Sequence, residues 1–507
     1  MIQKLLLAFF ISLCPCTKGN TQNVNVSKNK VNYWLENGNA YIIGFHKNAK
    51  KVVVRSSVTY KRKSYKVAGL KLDGSYKPYY NAKELSVREM VFDEGVTEIP
   101  DGIANNMVSL EKVVLPSTVT EIGFEAFCRC TSLTQINIPS SVKTIRSFAF
   151  RGCTSLGSIE LPEELQGLED GAFYGCGNLT SVGFHCKRIG NWVSSIPKFK
   201  ISTIVIGKEV EDISDDAFKG VSRLTTLELH SKEVGNWFVH NNTLKRIIIG
   251  KEVENIQDNV FKSLNELETV EFHCKEIGKW FSYNKSLKNV IIGNEVTKIC
   301  DEAFYGCSAL SSLSIADNVK SIGSHAFTLC SGLTSLTLPK NLTSIGNSSF
   351  VGCTGITSVA IPSKVSEIGQ NPFSGCIGID KIVVDKKNKV FDSRNNSNAI
   401  IMTSGNTLIT GCKNTIIPGD VMKIADWAFG ELKGLTAMVI PSSVTSIGES
   451  AFMYCRDLAT IIIKSKVVSI GNHAFAGCDS LKSVDIPKTA TIGKGAFKGC
   501  PWAENNK

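Results

Sequence analysis

Residues 333–353 read LTSLTLPKNLTSIGNSSFVGC, and the architecture follows from this stretch. In the pattern Leu333-x-x-Leu336-x-Leu338, Leu336 and Leu338 point to one side of a short strand, with Ser335 and Thr337 on the other, because successive strand side chains alternate. Pro339 ends the strand, having no N–H for a ladder. Ile345 follows, then Gly346, read as permitting a tight turn. Phe350 and Cys353 return inward on a short helical or irregular segment. Such a unit has a single apolar face and cannot bury it alone.

The unit recurs. Phenylalanines in an Ala-Phe or similar step fall at 127, 150, 173, 218, 261, 304, 327, 350, 373, 429, 452, 475 and 497. Most intervals are 22 or 23 residues, three are about two periods, and one is longer. A fixed period of this length predicts stacked coils that bury their faces against each other. The expected fold is an α/β-type solenoid: one long curved parallel β-sheet, short helical or irregular returns, and a continuous phenylalanine column. Between these anchors, Trp192, Trp237 and Trp280 stand in shorter coils and are expected to fill the same core volume with one larger ring.

Of the 17 cysteines, ten recur at one repeat position: 130, 153, 176, 307, 330, 353, 376, 455, 478 and 500. Residues stacked in equivalent coils point in parallel about 4.8 Å apart, wider than the roughly 3.8 Å between the Cβ atoms of a disulfide. A column of free thiols acting as small hydrophobes is expected, with disulfides of an exported protein as the competing reading.

Outside the period, residues 1–19 have Lys4, an apolar run from Leu5 to Leu13 and then small or polar residues, the layout of a secretory signal. Plain export is one reading and a lipid on Cys14 or Cys16 the other. Residues 20–84 are read as an N-terminal β cap, with short antiparallel strands at Tyr33–Leu35, Ala40–Phe45, Val52–Arg55 and Tyr65–Val67. The solenoid spans 85–500, followed by a tail over 501–507. Within it, 384–420 lengthens one coil, with a small hairpin at Ala399–Met402 and Thr407–Thr410 and an expected place on a loop at one edge.

The repeat closely resembles the BspA-like, Treponema-type leucine-rich repeat of bacterial surface proteins, with the gut Bacteroidetes type most similar. Leu133, Ile136, Ile138, Pro139, Val142, Ile145, Ala149, Phe150 and Cys153 fit its unit position by position. The resemblance implies an exported surface protein that adheres to host matrix proteins, host cells or other bacteria. The tryptophan-type coils at 185–293 depart from the common unit.

No nucleophile elbow, phosphate-binding glycine loop or close His/Cys ligand cluster occurs, so the chain is read as non-enzymatic, with no metal or cofactor. The sharpest constellation is His185, His230 and His273, each ending a strand in the outward alternation. Thr226, Glu228, His230, Arg246, Thr269, Glu271 and His273 form the candidate concave binding surface. Successive histidines lie two coils apart, roughly 9–10 Å, too far to share one zinc. The net charge of +11 is concentrated between Lys47 and Arg88. Lys50, Lys51, Arg55, Lys61, Arg62 and Lys63 form a candidate patch for anionic glycans, on strands expected to face one another in the cap; a charged edge that resists strand pairing is the plainer reading. The partner is a protein or glycan on a host or neighbouring cell. No nucleic-acid partner is expected, nor a transmembrane span, and the chain is read as a monomer.

Overall fold

The computed structural model describes residues 24–71, 82–189, 200–213, 218, 221–238, 241–258, 260–464 and 467–505. The leader, Cys14, Cys16 and Trp192 lie outside them. The described chain forms two compact units. One takes the residues up to Gly157 together with Glu164–Leu179; the other takes Ser158–Glu163 and the residues from Thr180 on.

The first unit opens with β1 (Val24–Lys28), β2 (Val31–Glu36) and β3 (Asn39–Phe45), followed by β4 (Lys51–Val54), β5 (Ser57–Tyr60) and β6 (Lys63–Leu70). Five of these make a sheet in the order β1-β2-β3-β6-β5, antiparallel except where β3 meets β6. The stretch expected as the third cap strand behaves differently. β4 leaves that sheet and pairs in parallel with β7 (Glu89–Phe92), becoming the first rung of the repeat ladder. Its sequence permits this: Val52 and Val54 are buried like the leucines of a repeat strand.

Most described coils carry two parallel ladders. The outer strand of the unit pairs with its counterparts, as in the second unit's eight-stranded run from Ser158–Leu161 to Ser312–Ile315. The return carries a second ladder of two-residue strands such as Ser321–Ile322, Ser344–Ile345 and Glu367–Ile368. Helix is nearly absent among the described residues: two three-residue 3-10 turns and one helix, α1 (Pro501–Asn505), whose Trp502 sits 4.7 Å from Phe497. The residues 335–338 keep the alternation read from their sequence, although they are not a paired strand.

All thirteen anchor phenylalanines are buried. They stack face to face in each unit, as with Phe150 and Phe173 at 5.1 Å and Phe327 and Phe350 at 5.4 Å. The tryptophan coils correct the expectation. Phe238, not Trp237, stacks on Phe218 at 4.8 Å, and Phe281, not Trp280, stacks on Phe261 at 5.0 Å. Trp237 is half-buried, while Trp280 is buried beside Phe272. The Trp-Phe step therefore stands for Ala-Phe, and the tryptophan takes the alanine position.

The ten periodic cysteines have no disulfide partner and are buried. Each thiol donates to a backbone carbonyl of the preceding coil, such as Cys353 Sγ to Phe327 O at 3.1 Å and Cys478 Sγ to Phe452 O at 3.1 Å. In two coils Asn241 and Asn284 occupy the place and donate amide N–H groups to Val221 and Phe261 carbonyls. Cysteine and asparagine thus add a hydrogen bond between coils to the filling of space, whereas Val221, Leu264 and Leu432 fill the equivalent place without a donor. Burial pushes the thiols of Cys307, Cys353 and Cys455 up to about 12. At pH 8 a thiol reagent should therefore leave the column untouched in the folded protein and label all fifteen cysteines from Cys128 to Cys500 once urea unfolds it. A mass shift on reduction of the native protein would show that the column is cross-linked instead.

The excursion at 384–420 is not an open loop. Phe391–Asp392, Ala399–Met402 and Thr407–Gly411 form an antiparallel trio whose Ile400, Ile401 and Leu408 are fully buried. Arg394 ties it down through Asp392 and Asp420, both at 2.7 Å. The turn column passes it by, since Gly375 N–H donates to Gly430 O at 3.4 Å.

Candidate functional site

The second unit's eight-stranded ladder positions the site. Strand register places Thr226, Arg246 and Thr269 in one row and Glu228, Ile248 and Glu271 in the next. His230, Gly250 and His273 follow just past the strand ends, held by main-chain bonds such as His230 N–H to Ile206 O at 2.8 Å. All seven residues singled out from the sequence thus share one outward face of three adjacent strands. Arg246 reaches diagonally to Glu271 at 2.7 Å.

Each histidine is held between two carboxylates. His185 has Glu160 at 2.9 Å on Nε2 and Glu209 at 3.6 Å on Nδ1. His230 has Glu228 at 2.7 Å and Glu252 at 3.2 Å, and His273 has Glu271 at 2.9 Å and Glu295 at 3.4 Å. Glycines make the room. A Cβ on Gly207 would lie 2.5 Å from His185 Nδ1, and one on Gly250 would overlap His230. At Gly183 a Cβ would overlap the Glu160 carboxylate, so the missing side chain lets that acid cross the intervening space to His185. The hydrogen bond that the His185 ring donates to Glu160 raises its value above that of an ordinary imidazole, against the opposing effect of partial burial. The three triads form a polar surface with hydrogen-bonding groups fixed at two-coil intervals. Glu209, Glu252 and Glu295 escaped the sequence reading, although Gly207-Lys208-Glu209, Gly250-Lys251-Glu252 and Gly293-Asn294-Glu295 recur every 43 residues.

Among the described residues no group of three or more His, Cys, Asp or Glu side chains is arranged to hold a metal ion. No helix among them is long and apolar enough to cross a membrane.

The basic residues do not gather as expected. Lys51 begins β4, with Lys50 just before it and Arg55 just beyond it, so they belong with the repeat ladder. Lys61 and Arg62 form the β5–β6 turn and Lys63 begins β6, in the other sheet. Acids from neighbouring segments also pair with the cations: Lys51 with Glu89 at 3.1 Å, Arg55 with Asp93 at 3.7 Å and Lys47 with Glu84 at 2.9 Å. The local surplus counted along the sequence is therefore partly neutralised in space.

Stacked parallel coils with an outward polar ladder define a leucine-rich-repeat solenoid. A family model described as the BspA type leucine rich repeat region, in six copies, matches residues 77–195, 197–299, 275–401 and 408–506, and the chain belongs to that family. Among solved structures, it is similar to a leucine-rich repeat protein from Bacteroides ovatus, at 23% identity over 94% of this chain and 92% of that one, with a TM-score of 0.30. It is also similar to a leucine rich cell surface protein from Faecalibacterium prausnitzii, at 22% identity over 95% and 87% with a TM-score of 0.32. A leucine-rich repeat protein from Eubacterium ventriosum matches at 19% over 95% and 96%, with a TM-score of 0.28. No curated protein matches the chain.

Proposed function

We propose that this protein is an exported, non-enzymatic surface binder whose second-unit ladder face contacts a macromolecule of a host or neighbouring cell. One observation carries the reading: a repeated Glu-His-Glu arrangement, with Arg246 between copies, presented outward on strands whose inner residues fill the core. Regular spacing and half-buried polar groups favour a broad contact over a pocket. Membership of a repeat family of surface scaffolds supports the same direction. Because the charged groups are already oriented by neighbours, a partner would meet them at reduced ordering cost.

The test is binding of immobilised host matrix proteins by the purified chain. Glu228→Lys with Glu271→Lys should weaken any specific interaction about tenfold or more, as loss of central charged contacts does. An interaction that persists unchanged through that double reversal would remove the face from consideration.

A further inference from the structure

A second surface lies in the first unit, on the turn side of its coils. Phe124 is 42% exposed and meets Phe148 edge to face at 6.1 Å. The Arg151 guanidinium sits over Phe148 at 5.3 Å and over Tyr174 at 5.7 Å. Tyr174 is 65% exposed. Three successive coils therefore contribute to one ridge of rings around an arginine. Arg129, exposed in the adjoining coil, donates its backbone N–H to Arg151 O. Neither arginine has a carboxylate partner among the described residues, whereas Arg146 nearby is paired with Glu121 at 2.6 Å.

The fold does not require these side chains. The position of Phe148 is filled by Glu125, Gly171, Ser348 and Ser450 in other coils, all in the same left-handed conformation. An aromatic ring there occupies a backbone geometry that disfavours side chains. It fits only because Gly171 lies beneath it, where a Cβ would stand 2.5 Å from Phe148 Cε1. The position of Tyr174 is likewise Val351, Ser374 or Ala476 elsewhere.

We propose that Phe124, Phe148, Arg151 and Tyr174 dock an acidic peptide segment that also carries an apolar side chain. An arginine stacked on rings keeps its N–H edge free for bidentate pairing with a carboxylate, and the unpaired charge favours an anionic partner. Exposed rings beside it supply the apolar anchor site typical of binding hot spots. A glycan fits less well, because the guanidinium already lies over both Phe148 and Tyr174 and leaves no open ring pair as a platform.

A display library of random peptides, selected on the full chain, tests this. Enriched peptides should combine Asp or Glu with an aromatic or aliphatic residue. A synthetic representative should lose about tenfold in affinity with Arg151→Gln or Tyr174→Ser. It should keep part of that affinity with Arg151→Lys, which retains charge without the fork, and all of it with Glu228→Lys plus Glu271→Lys. That last arm separates failure here from failure of the ladder-face reading. Far-UV circular dichroism and the urea midpoint show that each variant is folded, and Arg129→Gln provides a second, exposed probe of the charge. No enrichment, enrichment of basic or uncharged peptides, or affinity indifferent to Arg151→Gln would overturn the proposal. So would a glycan array giving the only signal lost with Arg151→Gln.

Discussion

Phe327→Ala is expected to lower the free energy of unfolding by about 3–5 kcal/mol, the usual cost of emptying a buried aromatic site. The ring has no exposure and is stacked on both sides, 5.2 Å from Phe304 and 5.4 Å from Phe350. Neighbours cannot collapse into the space, because both rings are fixed by their own coils, so the cavity persists. Each coil contacts mainly its neighbours, and the loss should also weaken coupling between the coils on either side. Urea unfolding followed by far-UV circular dichroism measures the effect. Trp237→Ala, at a half-buried ring, is the comparison and should cost clearly less. Equal costs, or a change below about 1 kcal/mol for Phe327, would mean that the column does not hold the coils together.

That contrast also marks where the sequence was legible. Period and polarity suffice for the coil, its inward residues and the outward row, because a strand's alternation and a fixed repeat leave few other arrangements. Thr226, Glu228, His230, Arg246, Thr269, Glu271 and His273 could be placed together for that reason. What escaped was anything decided between coils. Trp237 and Trp280 look like core anchors in isolation, yet the following phenylalanine is the one in register with the column. Glu252 reaches His230 from a turn 22 residues later, a contact visible only once the coils are stacked. The split of the basic residues has the same origin: β4 has a free edge that the first repeat strand can use, and this draws Lys51 and Arg55 out of the cap. Cysteine was read as filler because the carbonyl that its thiol meets belongs to the preceding coil and cannot be seen in a one-dimensional pattern.

The glycine after the repeat isoleucine is the sharpest case, and it yields the second large effect. Gly346 was expected to permit a tight turn, but its φ is not in the left-handed range. Its role is close approach. A Cβ there would lie 2.5 Å from Ser324 N and 2.6 Å from Gly323 C, both backbone atoms of the preceding coil. The same holds at Gly323, Gly448 and Gly471, so the return strands are spaced as only glycine allows. The Gly346 N–H also donates to Ile322 O at 2.8 Å, fixing the two segments against each other. Gly346→Ala must therefore separate two coils or bend one, and overpacking of this kind costs about 1–3 kcal/mol or more. Gly419→Ala is the control, with nothing within 4 Å of its Cβ and an ordinary φ. There the unfolded chain loses entropy without strain in the fold, and stability should rise by up to about 1 kcal/mol. A turn-forming role would make neither substitution depend on the neighbouring coil. If Gly346→Ala matches Gly419→Ala in urea midpoint, backbone contact between coils is not what fixes their spacing.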